Sequence, residues 1–196
     1  MSDQKNIAWI DLETTGSDEE DGSIIEIGCI VTDAALEELG RWEAVVEPIS
    51  RRDLDSMDPV VRDMHTENGL LAALDAGVGI YGAGADDSLA EFLDRFTVDG
   101  TVILAGSGVG HFDSRWVRRH LERTARRLTY WTLDVGVLRR WFRLYAGLEI
   151  TGLEQSQKSH RAMADVELHL EEGRAFASLG ADVRGWILGE QGREES

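Results

Sequence analysis

The first residues that could perform chemistry are Asp11 and Glu13, two positions apart at the end of an apolar run. Side chains two apart on a strand point the same way, so both carboxylates would face one side and Leu12 the other. Carboxylates this close repel each other unless a cation lies between them, and Mg²⁺ prefers carboxylate oxygen. The spacing therefore indicates a divalent metal site. A strand end with two solvated acids is the alternative.

A second segment, Gly106-Ser-Gly-Val-Gly-His-Phe-Asp113, joins a predicted strand to a predicted helix. Its glycines suggest the nucleotide-binding turn of a Rossmann fold, but the third glycine falls at the wrong spacing. No acidic residue at the end of a following strand completes that motif, so the Rossmann interpretation is disfavoured. Asp113 instead enters a helix at its first turn. A carboxylate is stabilised there and can serve as a metal ligand.

The third group is His160 and Asp165, at the start of a long predicted helix. Histidine is the side chain best suited to take a proton from water near neutral pH, which makes His160 a candidate general base. The aspartate five residues later favours this role over a purely structural one. His120 and His169 have no such neighbour in the pattern and are interpreted as structural.

Hydrophobic periodicity predicts the elements that must position these side chains. Apolar or alternating runs predict strands at residues 7–10, 24–31, 40–48 and 102–105. The first three are joined by gaps too short for helical crossovers, so we expect them to be antiparallel. Helical spacing predicts helices from Pro59 toward Met64, at 87–96, through 116–128, at 133–145 with Asp134 as its cap, at 162–179 and at 183–188. Residues 146–159 read as a loop.

The composition is that of a soluble globular protein, with 42% hydrophobic and 29% charged residues. We find no repeat or linker and predict a single domain over residues 1–196, with its core at about 7–178, a short C-terminal helix and a frayed tail. The single cysteine, Cys29, excludes a disulfide framework and favours a reducing compartment. The N-terminus is polar and no apolar run approaches the length of a membrane span, so we expect a cytoplasmic protein.

The net charge of −17 argues against a long nucleic-acid footprint, which would need many Lys and Arg contacts to phosphates. It does not exclude a nucleic-acid enzyme, because divalent metals can supply positive charge and a short substrate needs few contacts. Nine of the twenty basic residues lie between Arg115 and Arg143. A solvated helix face explains much of that cluster.

The order Asp-x-Glu, then Phe-Asp, then His-x₄-Asp resembles the DEDDh exonucleases over about residues 7–178. Within that superfamily the chain looks most like oligoribonucleases. The segments that carry this likeness are Trp9-Ile-Asp-Leu-Glu-Thr-Thr-Gly16, Met64-His-Thr-Glu-Asn-Gly-Leu70 within 57–71, Tyr130-Trp-Thr-Leu-Asp-Val135 and Ser159-His-Arg-Ala-Met-Ala-Asp165. The resemblance implies an α/β fold of the RNase H-like type, with a mixed five-stranded sheet and helices on both faces.

The same resemblance implies roles for individual residues. Two Mg²⁺ or Mn²⁺ ions per active site would be held by four acids, namely Asp11, Glu13, Asp113 and Asp165. His160 would act as general base, and the products would be nucleoside 5′-monophosphates cut from the 3′ end of short single-stranded RNA, with DNA as a further candidate substrate. The chain would form a homodimer. Substrate contacts would come from Leu12, Thr15, His65, Ser107 and, across the dimer, Tyr130.

Three positions depart from the oligoribonuclease pattern. Ser17 stands where a leucine usually wedges between two bases, Trp131 replaces an arginine that helps cap the 5′ phosphate, and Gly136 replaces a serine of the same cap. These departures favour one alternative, a DEDDh exonuclease that acts on longer single-stranded DNA or RNA, as in proofreading. A non-catalytic acidic binding protein is a second alternative, which the presence of all five catalytic residue types disfavours.

Overall fold

The described residues form a mixed sheet. A computed structural model of the chain describes residues 5–48, 51–147 and 159–187. They build a six-stranded sheet in the order β4-β3-β2-β1-β5-β6. The strands are β1 (Ile7–Thr14), β2 (Ile24–Thr32), β3 (Glu38–Glu47), β4 (Ile80–Tyr81), β5 (Val102–Gly106) and β6 (Leu128–Asp134).

The strand directions confirm the predicted mixed α/β sheet. β1, β2 and β3 are consecutive antiparallel strands, and β5 and β6 continue the sheet in parallel on the other side of β1. The predicted count of five strands is wrong, because the two residues of β4 pair in parallel with the end of β3, Val46 opposite Ile80. So short a strand has no periodicity that a sequence pattern could reveal.

Eight helices lie in the described part of the chain. They are α1 (Arg51–Asp55), α2 (Pro59–Glu67), α3 (Leu70–Asp75), α4 (Gly82–Asp94), α5 (Asp113–His120), α6 (Glu122–Ala125), α7 (Val135–Ala146) and α8 (Ala162–Ile187). Pro59 opens α2 as predicted, and Asp134 caps α7 by accepting a hydrogen bond from the Val137 N–H at 3.1 Å.

Two helix predictions are wrong in extent. The pattern over 116–128 is not one helix, because Leu121 leaves the helical region (φ −127°, ψ 66°) and separates α5 from α6, while Leu128 begins β6. The predicted break before 183–188 is absent, since α8 is continuous to Ile187. Most of the predicted 146–159 loop and the expected frayed tail lie outside the described residues.

The sheet packs helices on both faces, because the side chains of β1 alternate between two cores. Ile10 and Leu12 point into one core with residues of α4 and α5, such as Leu89 and Trp116. Ile7 and Trp9 point into the opposite core with Val166 and Leu170 of α8. Burial of apolar side chains on this scale is the main stabilising term, at about 25 cal/mol per Å² removed from water.

Two glycines let α8 lie against the sheet. A Cβ on Gly28 of β2 would come within 2.6 Å of the Ala162 carbonyl carbon, and one on Gly173 would overlap the Trp9 ring. No helix among residues 5–48, 51–147 and 159–187 has the length and apolar character needed to cross a membrane.

Candidate active site

The acids of β1 lie within the strand rather than after it. β1 extends through Thr14, so Asp11 and Glu13 share the strand face that carries Trp9 toward α8, whereas Leu12 is buried on the other face. In the β1–β2 register, Asp11 lies opposite Gly28 and Glu13 lies opposite Glu26. The predicted two-residue spacing therefore places both carboxylates on the face of the sheet that packs against α8.

Asp113 is tied to β1 by its own carboxylate. It is the first residue of α5 and is buried, and its Oδ1 accepts a hydrogen bond from the Leu12 N–H at 3.2 Å. The β1–β5 ladder ends at Trp9 opposite Ala105, so the Leu12 amide lies beyond the last strand partner on that edge. The side chain of Asp113 takes the place of a strand there, which brings it to the backbone between Asp11 and Glu13.

Three predicted site residues converge directly. One ligand atom each of Glu13, His160 and Asp165 lies within 4.8 Å of the other two. Glu13 and Asp165 are buried, while His160 is exposed. Ligand oxygens around one Mg²⁺ ion bind at about 2.0–2.1 Å, and a buried pair of carboxylates at this separation is the donor set that a hard divalent cation prefers. The residues present therefore fit a divalent metal.

Asp11 lies in a neighbouring contact on the same face. Its Oδ1 is 3.8 Å from Nδ1 of His169, a buried residue of α8. Asp11 and Asp113 are not members of the three-residue cluster. The structure thus brings Glu13, Asp165 and His160 together. Asp11 lies beside them on β1, and Asp113, at the start of α5, contacts β1.

His65 packs against the end of β1. Its side chain is fully buried, with Nε2 3.0 Å from the Thr14 carbonyl oxygen and 3.9 Å from Glu13 Oε2. Burial lowers the pKa of His65, so the neutral ring with Nε2–H donating to Thr14 is favoured. In this position His65 has no exposed surface to offer to a base, the contact predicted for it.

Leu12 and Thr15, predicted to contact the 3′-terminal nucleotide, are buried as well. Thr15 closes the turn after β1, because its N–H donates to the Ser23 carbonyl at 3.0 Å and its Oγ1 accepts from the Ser23 N–H at 2.9 Å. Both residues therefore shape the strand end that carries Glu13.

The glycine-rich segment binds a carboxylate of the chain itself. The N–H groups of Gly108 and Gly110 donate to the two carboxylate oxygens of Asp134, at 2.9 and 3.4 Å. Asp134 thus joins this turn to the start of α7, which agrees with the rejection of a Rossmann phosphate cradle. Ser107, a predicted substrate contact, accepts a hydrogen bond from Arg139 at 3.1 Å.

Gly136 has a packing reason in this chain. A Cβ at position 136 would lie 2.7 Å from Ser107 Oγ and 3.2 Å from Asp134 Oδ1. The space that a serine at position 136 would need is occupied by the Ser107 hydroxyl, which is held there by Arg139. The departure at Gly136 is therefore coupled to the placement of Ser107.

Tyr130 lies on the edge strand β6 and is 88% exposed. It belongs to a larger exposed apolar area on β6 and α7, which we call the β6–α7 surface. Its residues are Tyr130, Trp131, Val137, Leu138, Trp141, Leu144 and Tyr145. A cavity of about 770 Å³ adjoins it, lined by Leu133, Val137 and Phe176 among others.

The arginine-rich segment is a solvated, charge-paired surface, as its composition suggested. Most of its arginines contact a carboxylate. The pairs are Arg115–Glu19, Arg119–Glu20, Arg123–Asp87, Arg126–Glu122, Arg127–Asp94 and Arg139–Glu172. Hydrogen bonding to Arg127 holds the pKa of Asp94 below its usual value. This surface is therefore largely neutralised by the chain itself.

Sequence reasoning missed Glu26 and Arg161. Glu26 is buried on β2, and its carboxylate accepts hydrogen bonds from the Arg161 guanidinium at 2.6–3.1 Å. These bonds raise the pKa of Arg161. The signal was present, because Glu26 is the only charged residue in the otherwise apolar run of β2.

Comparisons with known proteins show which family the chain resembles. A family model described as Exonuclease matches residues 8–172. Oligoribonuclease of Streptomyces coelicolor is 32% identical over 170 residues, covering 87% of this chain and 84% of that protein. Oligoribonuclease of Xanthomonas campestris pv. campestris strain 8004 is 32% identical over 186 residues, covering 92% of this chain and 94% of that protein.

Solved structures share the fold at lower identity. Exonuclease I from Methylocaldum szegediense superposes with a TM-score of 0.69 at 19% identity, over 94% of this chain and 43% of that one. E. coli exonuclease I in complex with a dT13 oligonucleotide gives a TM-score of 0.68 at 16% identity, over 94% of this chain and 44% of that one. This chain spans less than half the length of either exonuclease I.

Proposed function

The chain belongs to the exonuclease family whose model matches residues 8–172, and we propose that it is a metal-dependent 3′→5′ exoribonuclease. Its substrates would be short single-stranded oligoribonucleotides and its products nucleoside 5′-monophosphates. The observation that carries the proposal is the convergence of Glu13, His160 and Asp165 within 4.8 Å at the junction of β1 and α8. Similarity to oligoribonucleases over more than 80% of both chains supports it.

We propose that four acids hold the metals, Mg²⁺ or Mn²⁺, two per active site. Glu13 and Asp165 are the best supported, because they already lie together and are buried. Asp11 shares the strand face of Glu13, and Asp113 is anchored to the intervening Leu12 amide. When bound, these ions would stabilise the negative charge that develops on the phosphodiester during hydrolysis.

His160 is the proposed general base. Its imidazole is exposed, within 4.8 Å of the two buried carboxylates, so it can reach a water molecule that approaches the site from solvent. The chain then needs only to hold the ring in place, since general-base catalysis depends first on geometry.

The charges of the chain favour a short substrate. The net charge is −17, and the arginines between α5 and β6 are mostly paired with carboxylates. Few cations therefore remain to neutralise a long run of phosphates. A short oligomer that binds mainly through its 3′-terminal nucleotide and the metals needs few such contacts.

A second candidate keeps the chemistry and lengthens the substrate. Trp131 is 42% exposed where the oligoribonuclease pattern has an arginine, and Gly136 lacks the serine of the phosphate cap. Without that cap a longer chain is not obstructed, and the indole offers a face for a further base. A structural neighbour was solved with dT13 bound, a single strand longer than a dinucleotide.

We also propose a homodimer formed through the β6–α7 surface. Its side chains are bulky and largely apolar, which favours their burial, and they include Trp141 at 60% exposed and Leu144 at 74%. β6 is an edge strand, which leaves backbone groups open to a second copy. A dimer would carry Tyr130 toward the neighbouring subunit. The single cysteine, Cys29, is buried and free, which suits a reducing compartment, and we place the protein in the cytoplasm.

A digest of 5′-labelled RNAs of graded length tests the proposed activity. With Mg²⁺ or Mn²⁺ we expect stepwise shortening from the 3′ end and release of nucleoside 5′-monophosphates, and EDTA should abolish both. Asp165→Asn, purified in parallel, controls for a contaminating nuclease. Shortening that persists with EDTA or in the variant would contradict the proposal, and so would products that carry a 3′ phosphate.

A further inference from the structure

Glu26 is a charged residue in an unfavourable place. It is the only charged side chain of β2, a strand that is buried along its whole length, and it is itself 5% exposed. Burying a carboxylate is costly unless it is paired and hydrogen-bonded. Its persistence in this strand therefore depends on the partners that the fold provides.

Those partners all come from the start of α8. The Arg161 Nε lies 3.0 and 3.1 Å from the two carboxylate oxygens of Glu26, and a terminal nitrogen lies 2.6 Å from Oε1. The Ala162 N–H donates to Oε2 at 2.8 Å. The first N–H groups of a helix have no partner within the helix, so Glu26 caps α8 from a neighbouring strand and places negative charge at its N-terminus.

The sheet register places this contact beside the catalytic acids. Glu26 lies opposite Glu13, and Gly28 lies opposite Asp11. The absence of a side chain at Gly28 lets the Ala162 backbone approach the sheet, where a Cβ would come within 2.6 Å of it. Glu26 and Gly28, two residues apart on the face of β2 that packs against α8, thus fix the distance of α8 from the sheet and its orientation beside Glu13.

The contact between Glu26 and the start of α8 also holds His160 in an unfavourable backbone conformation. His160 has φ +50°, in the left-handed region that L-residues rarely adopt. The chain is held on both sides of it: the His160 carbonyl accepts a hydrogen bond from the Asn68 side-chain amide, and Arg161 and Ala162 bind Glu26. A strained backbone conformation persists only where surrounding contacts hold it in place. Here those contacts fall on three consecutive residues, 160 to 162.

We propose that Glu26 and Arg161 are positioning residues for the exonuclease reaction, whose ion pair holds His160 and Asp165 against Glu13. The proposal rests on the proposed function. It explains why a buried charge pair is built across β2 and α8 next to the metal-site residues. A displacement of about 1 Å at a reacting group can cost 10²-fold in rate, so a clamp of this kind is expected to act on turnover.

A different role for Arg161 predicts a different result. Its side chain is 38% exposed, so its guanidinium could instead bind a substrate phosphate directly. Loss of a phosphate contact present in both ground and transition states raises KM and leaves kcat unchanged. A positioning role lowers kcat with little effect on KM.

The test compares Glu26→Ala, Glu26→Gln and Arg161→Gln with wild type on a short oligoribonucleotide. Glu26→Ala removes every contact to α8, and we expect kcat to fall about 10²-fold with KM changed less than about threefold. Glu26→Gln keeps an oxygen for the Ala162 N–H and should recover at least about tenfold of that loss. Glu167→Gln is the matched control, since it removes the exposed Arg41–Glu167 ion pair from the same helix and should leave kcat unchanged.

Hydrogen exchange gives a readout that does not depend on activity. Amide exchange over residues 159–166 should accelerate in Glu26→Ala and Arg161→Gln, and not in Glu167→Gln, at temperatures where thermal melts show each variant folded. If Glu26→Ala does not fold, Arg161→Gln, at a half-exposed position, carries the same two measurements. Unchanged kcat and exchange in the folded variants would overturn the proposal, as would a rise in KM alone. Inactive wild type with faster variant exchange would overturn only the proposed function.

Discussion

The junction of β1 with α8 and the β6–α7 surface are built in opposite ways. At the junction the chain completes its own contacts, since Asp113 binds the Leu12 amide and Glu26 binds the start of α8. On the β6–α7 surface large apolar side chains meet solvent, with Tyr130 88% and Trp141 60% exposed. The difference leads us to expect that one subunit suffices to assemble the chemical groups, whereas in the proposed dimer the far end of a substrate would also contact the second subunit.

The largest expected effect tests whether the junction is the chemical centre. Asp11→Asn, Glu13→Gln, Asp113→Asn and Asp165→Asn each remove ligand charge, and we expect kcat/KM to fall about 10³-fold or more, because metal-ion stabilisation of transition-state charge is worth several kcal/mol. Steady-state hydrolysis of a short RNA measures this. Glu91→Gln, at an exposed position of α4, is the control. Near-normal turnover in any one of the four variants would remove that residue from the ligand set.

Asp113→Asn sharpens this test, because the two roles of Asp113 separate in this variant. The amide oxygen of the substituted side chain can still accept the hydrogen bond that the Leu12 N–H donates to Asp113 in the native chain. We therefore expect a melting temperature close to that of wild type together with loss of activity. A large drop in melting temperature would instead assign Asp113 mainly to folding.

The next effect concerns His160. As general base its loss should lower kcat about 10²–10⁴-fold with a smaller change in KM. The imidazole of His160 lies within 4.8 Å of ligand atoms of Glu13 and Asp165, so it could also bind a metal ion. His160→Ala therefore also distinguishes a general base from a metal ligand. Titration with Mn²⁺ should give a metal affinity near that of wild type. Markedly weaker Mn²⁺ binding would make His160 a metal ligand.

A charge placed on the β6–α7 surface tests its proposed role in the dimer. Trp141→Glu should dissociate the proposed dimer, because a buried aromatic anchor is commonly worth at least about 2 kcal/mol, roughly a 30-fold weaker dimer. Sedimentation velocity at several concentrations measures this. Val60→Glu, which charges an exposed apolar side chain of α2 outside the β6–α7 surface, should leave the dimer intact. A wild-type monomer would refute the dimer outright.

The smallest expected effect is on substrate length. We expect kcat/KM to decline only modestly for RNAs of two to seven nucleotides, because Trp131 supplies stacking worth about 1–3 kcal/mol in place of a terminal-phosphate contact. Arg126 and Arg127 pair with Glu122 and Asp94, so either arginine would have to leave its ion pair to take the place of the missing cap. Trp131→Arg should shift preference toward the dinucleotide. A steep drop beyond two nucleotides in wild type would contradict this account.

The parts of the fold that local patterns encode were predictable from sequence. The antiparallel strands β1 and β2 show apolar runs and β3 an alternating one, and the Asp134 cap and Pro59 mark helix starts. β6 was not, because it is an exposed edge strand whose first residue, Leu128, continues a helical pattern. Its identity depends on pairing with β5, a contact that no local window contains.

The candidate site divides in the same way. Asp11, Glu13, Asp113, His160 and Asp165 could be chosen from residue type, spacing and motif order. Their supports could not, because Glu26 meets Arg161 across 135 positions of sequence and His65 reaches Thr14 across 51. Such contacts arise from tertiary packing, which also buries His65, a residue predicted to lie against a base.

The left-handed backbone at His160 has a consequence for how this chain can change. A glycine would adopt that conformation without the cost of roughly 1–2 kcal/mol that a side chain incurs there. Selection for thermal robustness alone would therefore favour discarding the imidazole at position 160. At position 160 stability favours glycine and turnover favours histidine. Attempts to raise the thermal stability of this protein should therefore leave His160 unchanged.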